Sequence, residues 1–134
     1  MSDPTPASEH LDASVLADIR ALGVAGEDVL GKVMRIFLAD VPIQLTALTT
    51  AIEACDGEAM WRVAQRLKGT SLGMGAWQMA NICATIECAA RAQTLDGAAA
   101  PVAELVAEFE LTRLALESEV GGWQLVVARI KASA

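Results

Sequence analysis

Apolar residues return at helical spacing along one stretch after another of this chain, and that periodicity limits what it can fold into. From Glu27 the positions Leu30, Val33, Met34, Phe37, Leu38, Val41, Leu45, Leu48 and Ile52 form a stripe that runs to about Ala54. Met60, Val63, Ala64, Leu67 and Ser71 repeat the pattern from Ala59 to about Leu72. Ala76, Met79, Ala80, Cys83, Ile86 and Ala90 carry it through the next segment, and Val102, Leu105, Val106, Phe109, Arg113 and Leu116 through a last one to about Val120. Each stripe needs a neighbour to cover it, and short connections make consecutive helices antiparallel. The expected fold is all-α, an antiparallel four-helix bundle with a short extra N-terminal helix. That extra helix is capped by Asp12, carries Val15, Leu16, Ile19 and Leu22 on one face, and ends near Gly23.

Composition agrees with helix over sheet: 54% of residues are hydrophobic, aromatics are only 4%, and tyrosine is absent. A chain of 134 residues makes one domain. Three segments are expected: a mobile tail over 1–11, the bundle over 12–120, and a C-terminal extension over 121–134 set off by Gly121-Gly122. The tail contains the sole histidine, His10, which sits in no helical pattern and reads as a tail residue. Pro42 falls inside the second stripe, where loss of a backbone donor predicts a bend near Ala39 to Val41. Gln93 to Pro101 reads as a loop, with Pro101 in the first turn of the last helix.

A net charge of −7 argues against nucleic acid as a partner. Arg62, Arg66 and Lys68 nevertheless put three of the ten basic residues within two helical turns, a local positive patch suited to an anionic partner. Cys55, Cys83 and Cys88 are odd in number and lack CxxC spacing, so they read as small buried hydrophobes of a reducing compartment and not as a metal site. No run of about 18 apolar residues and no N-terminal signal pattern is found, so the expected location is cytoplasmic, without direct membrane contact. The cytoplasmic end of a membrane-bound sensor would read the same way.

Opposite the apolar stripe of the Ala59–Leu72 segment lie Arg62, Gln65, Arg66 and Gly69, with Lys68 three residues beyond Gln65 and able to swing over it. Gly69, four residues on, presents no side chain to block approach. By spacing alone this is an ordinary solvated face.

The stretch Gln65-Arg66-Leu67-Lys68-Gly69-Thr70-Ser71, followed by Gly75-Ala76, Cys83 and Glu87, resembles the signature of the histidine-containing phosphotransfer domain, the helical carrier of multi-step phosphorelays. The resemblance covers about residues 12–119 and is specific between Gln65 and Glu87. It implies a carrier and not an enzyme, with no catalytic residue, metal or cofactor of its own. Its implied partner is a response-regulator receiver domain, and a hybrid sensor histidine kinase is a further possible setting. One position departs from the pattern: Gln65 stands where the family has its phosphoacceptor histidine. An imidazole nitrogen has a free lone pair, whereas the lone pair of an amide nitrogen is delocalised into its carbonyl, so Gln65 cannot carry phosphate. Either histidine has been replaced deliberately, or the chain is a natural member that docks without accepting phosphate.

The resemblance further implies that Lys68 neutralises charge on the phosphoryl oxygens and that Gly69 gives access to the incoming site. Trp61, Arg62, Arg66, Ser71, Met74 and Gln78 are the candidates for partner contact or support of the site. An alternative from another class is a helical adaptor or inhibitor that holds an acidic partner with its basic face and does no phosphoryl chemistry.

Overall fold

Asp12, Asp28 and Asp56 each accept a hydrogen bond from a backbone N–H two or three residues on, that of Ser14 at 3.0 Å, Gly31 at 2.9 Å and Ala59 at 3.0 Å. Each starts a helix, because the carboxylate satisfies a donor that the first turn leaves unpaired. These are α1 (Ala13–Ala21), α2 (Val29–Glu53) and α3 (Gly57–Gly73). Two more follow: α4 (Trp77–Arg91) and, after a 3-10 turn at Leu95–Ala98, α5 (Ala99–Ser133). This computed structural model describes residues 9–24 and 27–133, giving the backbone alone for Leu95 and for residues 122–133. No strand occurs among the described residues.

Three helix ends are built alike. After α2, Cys55 is left-handed (φ 53°), its N–H reaches the Ile52 carbonyl at 3.0 Å and that of Asp56 reaches Ala51 at 2.9 Å. After α3, Gly75 (φ 78°) gives the same pair of bonds, Gly75 to Leu72 at 3.1 Å and Ala76 to Ser71 at 2.8 Å. After α4, Gln93 (φ 57°) repeats it, bonding Ala90 at 3.2 Å, while Thr94 bonds Ala89 at 3.0 Å. Each pair satisfies the last carbonyls of its helix and reverses the chain tightly. Only Gly75 has the residue this conformation favours. There a side chain has no room either, since an added Cβ would lie 3.1 Å from the Asp12 carbonyl oxygen and 3.2 Å from Val15.

Helices α2 to α5 form the antiparallel four-helix bundle, with α1 as the short extra helix. Its core holds Leu30, Phe37, Val41 and Leu48 from α2, Met60, Ala64 and Leu67 from α3, Met79, Cys83 and Ile86 from α4, and Leu105 and Leu116 from α5. Phe37 meets Phe109 edge-on with centroids 6.1 Å apart. α2 alone among the described helices has the length and mean hydropathy (1.3) of a membrane span. Its buried residues, among them Leu30, Met34, Phe37, Val41 and Leu48, face the core of the bundle.

α2 runs unbroken through Pro42, held on both sides by buried Phe37, Val41 and Leu48. Two local expectations are corrected. Gly121-Gly122 does not interrupt the last segment, whose backbone is helical to Ser133, so the extension continues α5 instead of starting a new element. Ala134 and residues 1–8 lie outside the described residues. The mobile tail does not extend to Leu11, which is 2% exposed, and the Asp12 N–H binds the Gly75 carbonyl at 2.7 Å. His10 Nδ1 lies 2.7 Å from Glu108 Oε2, and the Thr112 hydroxyl donates to the same oxygen at 3.1 Å. This anchors the end of the tail to α5.

Candidate functional site on the third helix

Because Met60, Ala64, Leu67 and Ser71 point inward, the helical period turns Arg62, Gln65, Arg66 and Gly69 outward, and all four are exposed. Among the described residues no side-chain hydrogen bond engages the Gln65 amide. A Cβ added at Gly69 or at Gly73 would meet nothing within 4 Å. One and two turns beyond Gln65 the surface is therefore bare backbone, open to close approach.

Lys68 does not swing over Gln65. Its ammonium reaches across to α4, 2.9 Å from Glu87 Oε2, and the two side chains are 34% and 14% exposed. The other oxygen, Glu87 Oε1, is buried without a partner. One turn before Glu87, the Cys83 thiol is pushed up to about 12, first by burial and then by the Glu87 charge, with Lys68 opposing. The other two thiols differ from expectation, since Cys55 and Cys88 are exposed.

The positive patch is weaker than the sequence suggests. Arg66 lies 3.7 Å from Asp40 and Arg62 lies 4.0 Å from Glu58, so each of the three cations has a carboxylate of its own chain nearby. Both guanidiniums are well exposed and their contacts are long, so the pairs hold little energy and the arginines are free to exchange partners.

The remaining candidates separate. Ser71 and Met74 are buried, at 0% and 1% exposure, so they cannot touch a partner and support the helix from within. Trp61 is half-buried beneath Arg91, whose guanidinium carbon is 5.3 Å from the ring. It lines an open groove of about 560 Å³ with Cys55, Gly57, Glu58, Ala90, Arg91 and Gln93. Gln78, partly exposed, donates to the Glu9 carbonyl and ties the start of α4 to the N-terminal segment.

Sequence reasoning missed two features of this face. The Arg66 to Asp40 contact brings α2 alongside the strip, and there Ile36 and Ile43 are 69% and 65% exposed. Both lie off the apolar stripe of α2 and seven residues apart, a signal present in the sequence. The second is the part of Glu87 in holding Lys68, to which their 19-residue separation gives no clue.

The Hpt domain family model matches residues 32–120. Histidine-containing phosphotransfer protein B (HptB) from Pseudomonas aeruginosa PAO1 has a similar structure, with a TM-score of 0.76 and 29% identity, covering 84% of this chain and 95% of that one. Histidine-containing phosphotransfer protein MtHPt2 from Medicago truncatula shares the fold, with a TM-score of 0.78 and 24% identity over 93% of this chain and 84% of that one. No curated protein matches. With most of the bundle covered by the family model, this chain belongs to the Hpt domain family.

Proposed function

We propose that this chain is a phosphotransfer-type module of a two-component phosphorelay that docks receiver domains of response regulators through the outer face of α3 and, as it stands, accepts no phosphate. The observation that carries the reading is the exposure of Gln65 in the middle of α3, with bare backbone at Gly69 one turn on. In this reading Gln65 occupies the phosphoacceptor position, and the lone pair of its amide nitrogen is delocalised into the carbonyl and cannot attack phosphorus as an imidazole nitrogen does. The receiver supplies the aspartyl phosphate, the metal ion and most of the electrostatic stabilisation, so the chain is a docking partner and not an enzyme. Arg62 and Arg66 meet the acidic rim of the partner, Ile36 and Ile43 supply apolar contact beside them, and Lys68 turns from Glu87 to the phosphoryl oxygens. The setting is cytoplasmic, as a free protein or as part of a hybrid sensor histidine kinase.

The adaptor reading draws less support, because it leaves the bare backbone at Gly69 and Gly73 beside Gln65 without a role. A transfer assay tests the proposal. Mixed with a phosphorylated receiver, this chain stays unlabelled, whereas Gln65→His gains an acid-labile label. A folded Gln65→His chain that takes no label from any receiver counts against the carrier ancestry of the site.

A further inference from the structure

Docking a phosphorylated receiver against an amide has a chemical consequence beyond failure to accept phosphate. The sole imidazole of the chain, that of His10, is held by Glu108 on α5 and supplies no nucleophile at the α3 face. What the face does present is the exposed carboxamide of Gln65, which no side-chain hydrogen bond engages among the described residues. Its Oε1 accepts a hydrogen bond from a water molecule and its Nε2 donates to a phosphoryl oxygen, which are the two contacts needed to hold water near phosphorus. A glutamine can orient an attacking water in phosphoryl hydrolysis without itself ionising, because the metal and cations around the phosphate stabilise the charge.

The surroundings suit that task. Three rotatable side-chain bonds allow the Gln65 amide to bend off the line of attack, and the open surface at Gly69 and Gly73 leaves space for both the receiver loop and a water.

We propose that the chain is a receiver phosphatase in which Gln65 orients water for in-line attack on the aspartyl phosphate of a docked receiver. The inference rests on the docking reading above. The water oxygen forms the new bond to phosphorus, and the bond from phosphorus to the aspartyl oxygen breaks. The electron pair leaves with the aspartate carboxylate, and both water protons depart on the product, dihydrogen phosphate. The receiver contributes its own divalent cation, and no oxidant, reductant or further co-reactant enters.

The test uses the full chain and a panel of receiver domains phosphorylated on aspartate with acetyl phosphate and Mg²⁺, then freed of excess donor. Binding is measured first, and inorganic phosphate release is then followed on each receiver that binds, at saturating chain. Release is expected to rise about tenfold over the receiver alone, which corresponds to about 1.4 kcal/mol of barrier. No label passes to the chain. Gln65→Ala, checked for helicity and brought to saturation on the same receivers, is expected to return release to the rate of the receiver alone. Binding with unchanged or slower release, or an acceleration that survives Gln65→Ala, overturns the phosphatase and leaves the docking reading standing. If no receiver binds, both fall together.

Discussion

Met60, Ala64 and Leu67 on α3 are fully buried, while Arg62, Gln65, Arg66 and Gly69, drawn from the same turns, face outward. The inward residues belong to one core cluster with Leu, Met and Ile side chains of α2 and α4, so their size is fixed by close packing. The outward ones have weak partners or none, and Gly69 lowers the helix propensity of the strip by about 1 kcal/mol relative to alanine. A face selected for stability alone would not hold a glycine at an exposed mid-helix position. The difference teaches that the inner face of α3 holds the bundle together, while the outer face adds little to stability and suits the docking proposed above.

The sharpest way to break that contrast is to truncate one residue on each face. Leu67→Ala is expected to lower unfolding free energy by about 2–5 kcal/mol, from lost burial and the cavity left behind. Gln65→Ala is expected to change it by no more than about 0.5 kcal/mol. Urea denaturation of both variants makes the comparison, and equal losses would remove the division between the faces.

Cys83 sharpens the inner side of the contrast. Its thiol is pushed up to about 12 in the fold from 9.0, so the folded state favours the neutral form. The stability this contributes is fully present below about pH 9 and is lost as pH rises towards about 12, because the unfolded chain ionises first. At pH 8 a thiol reagent should modify Cys55 and Cys88 quickly and Cys83 only on unfolding. Three equally fast thiols would contradict the burial.

At the border between the faces, the Lys68 to Glu87 pair is half out of solvent. Lys68→Met is expected to destabilise by about 1 kcal/mol, since it leaves the Glu87 carboxylate in a largely buried position without its cation. Double substitution with Glu87→Gln should recover part of that loss in the same denaturation experiment. Full additivity of the two single losses would mean that the pair is not coupled.

The smallest effect concerns the helix ends. Gln93→Gly places the residue suited to φ 57° there and is expected to stabilise by about 0.5–1 kcal/mol, whereas Gly75→Ala should destabilise by more, as the new Cβ also crowds Asp12 and Val15. Thermal melts of the two variants should shift in opposite directions.

Most of the bundle was legible because its stripes are long and Asp12 caps the first helix where expected. What escaped were the features that tertiary structure decides. Gly121-Gly122 are poor helix residues by local preference, each costing about 1 kcal/mol relative to alanine, yet the backbone stays helical through them to Ser133. His10 finds Glu108 across 98 residues of sequence, and no local signal links them. At the site, the motif led to Gln65, Lys68, Gly69 and Glu87. The periodicity already counted Ser71 in the apolar stripe, so its burial was readable, whereas Met74 is buried only because the turn after α3 folds it inward.

The most direct test of the account is to map receiver binding onto the isotope-labelled chain by backbone amide shifts. Perturbations are expected to centre on residues 62–73 of α3 and to extend to 36–43 of α2, leaving the α5 surface around Val106 and Leu114 unchanged. A bound receiver that shifts α5 and leaves Gln65 and Gly69 untouched would contradict it.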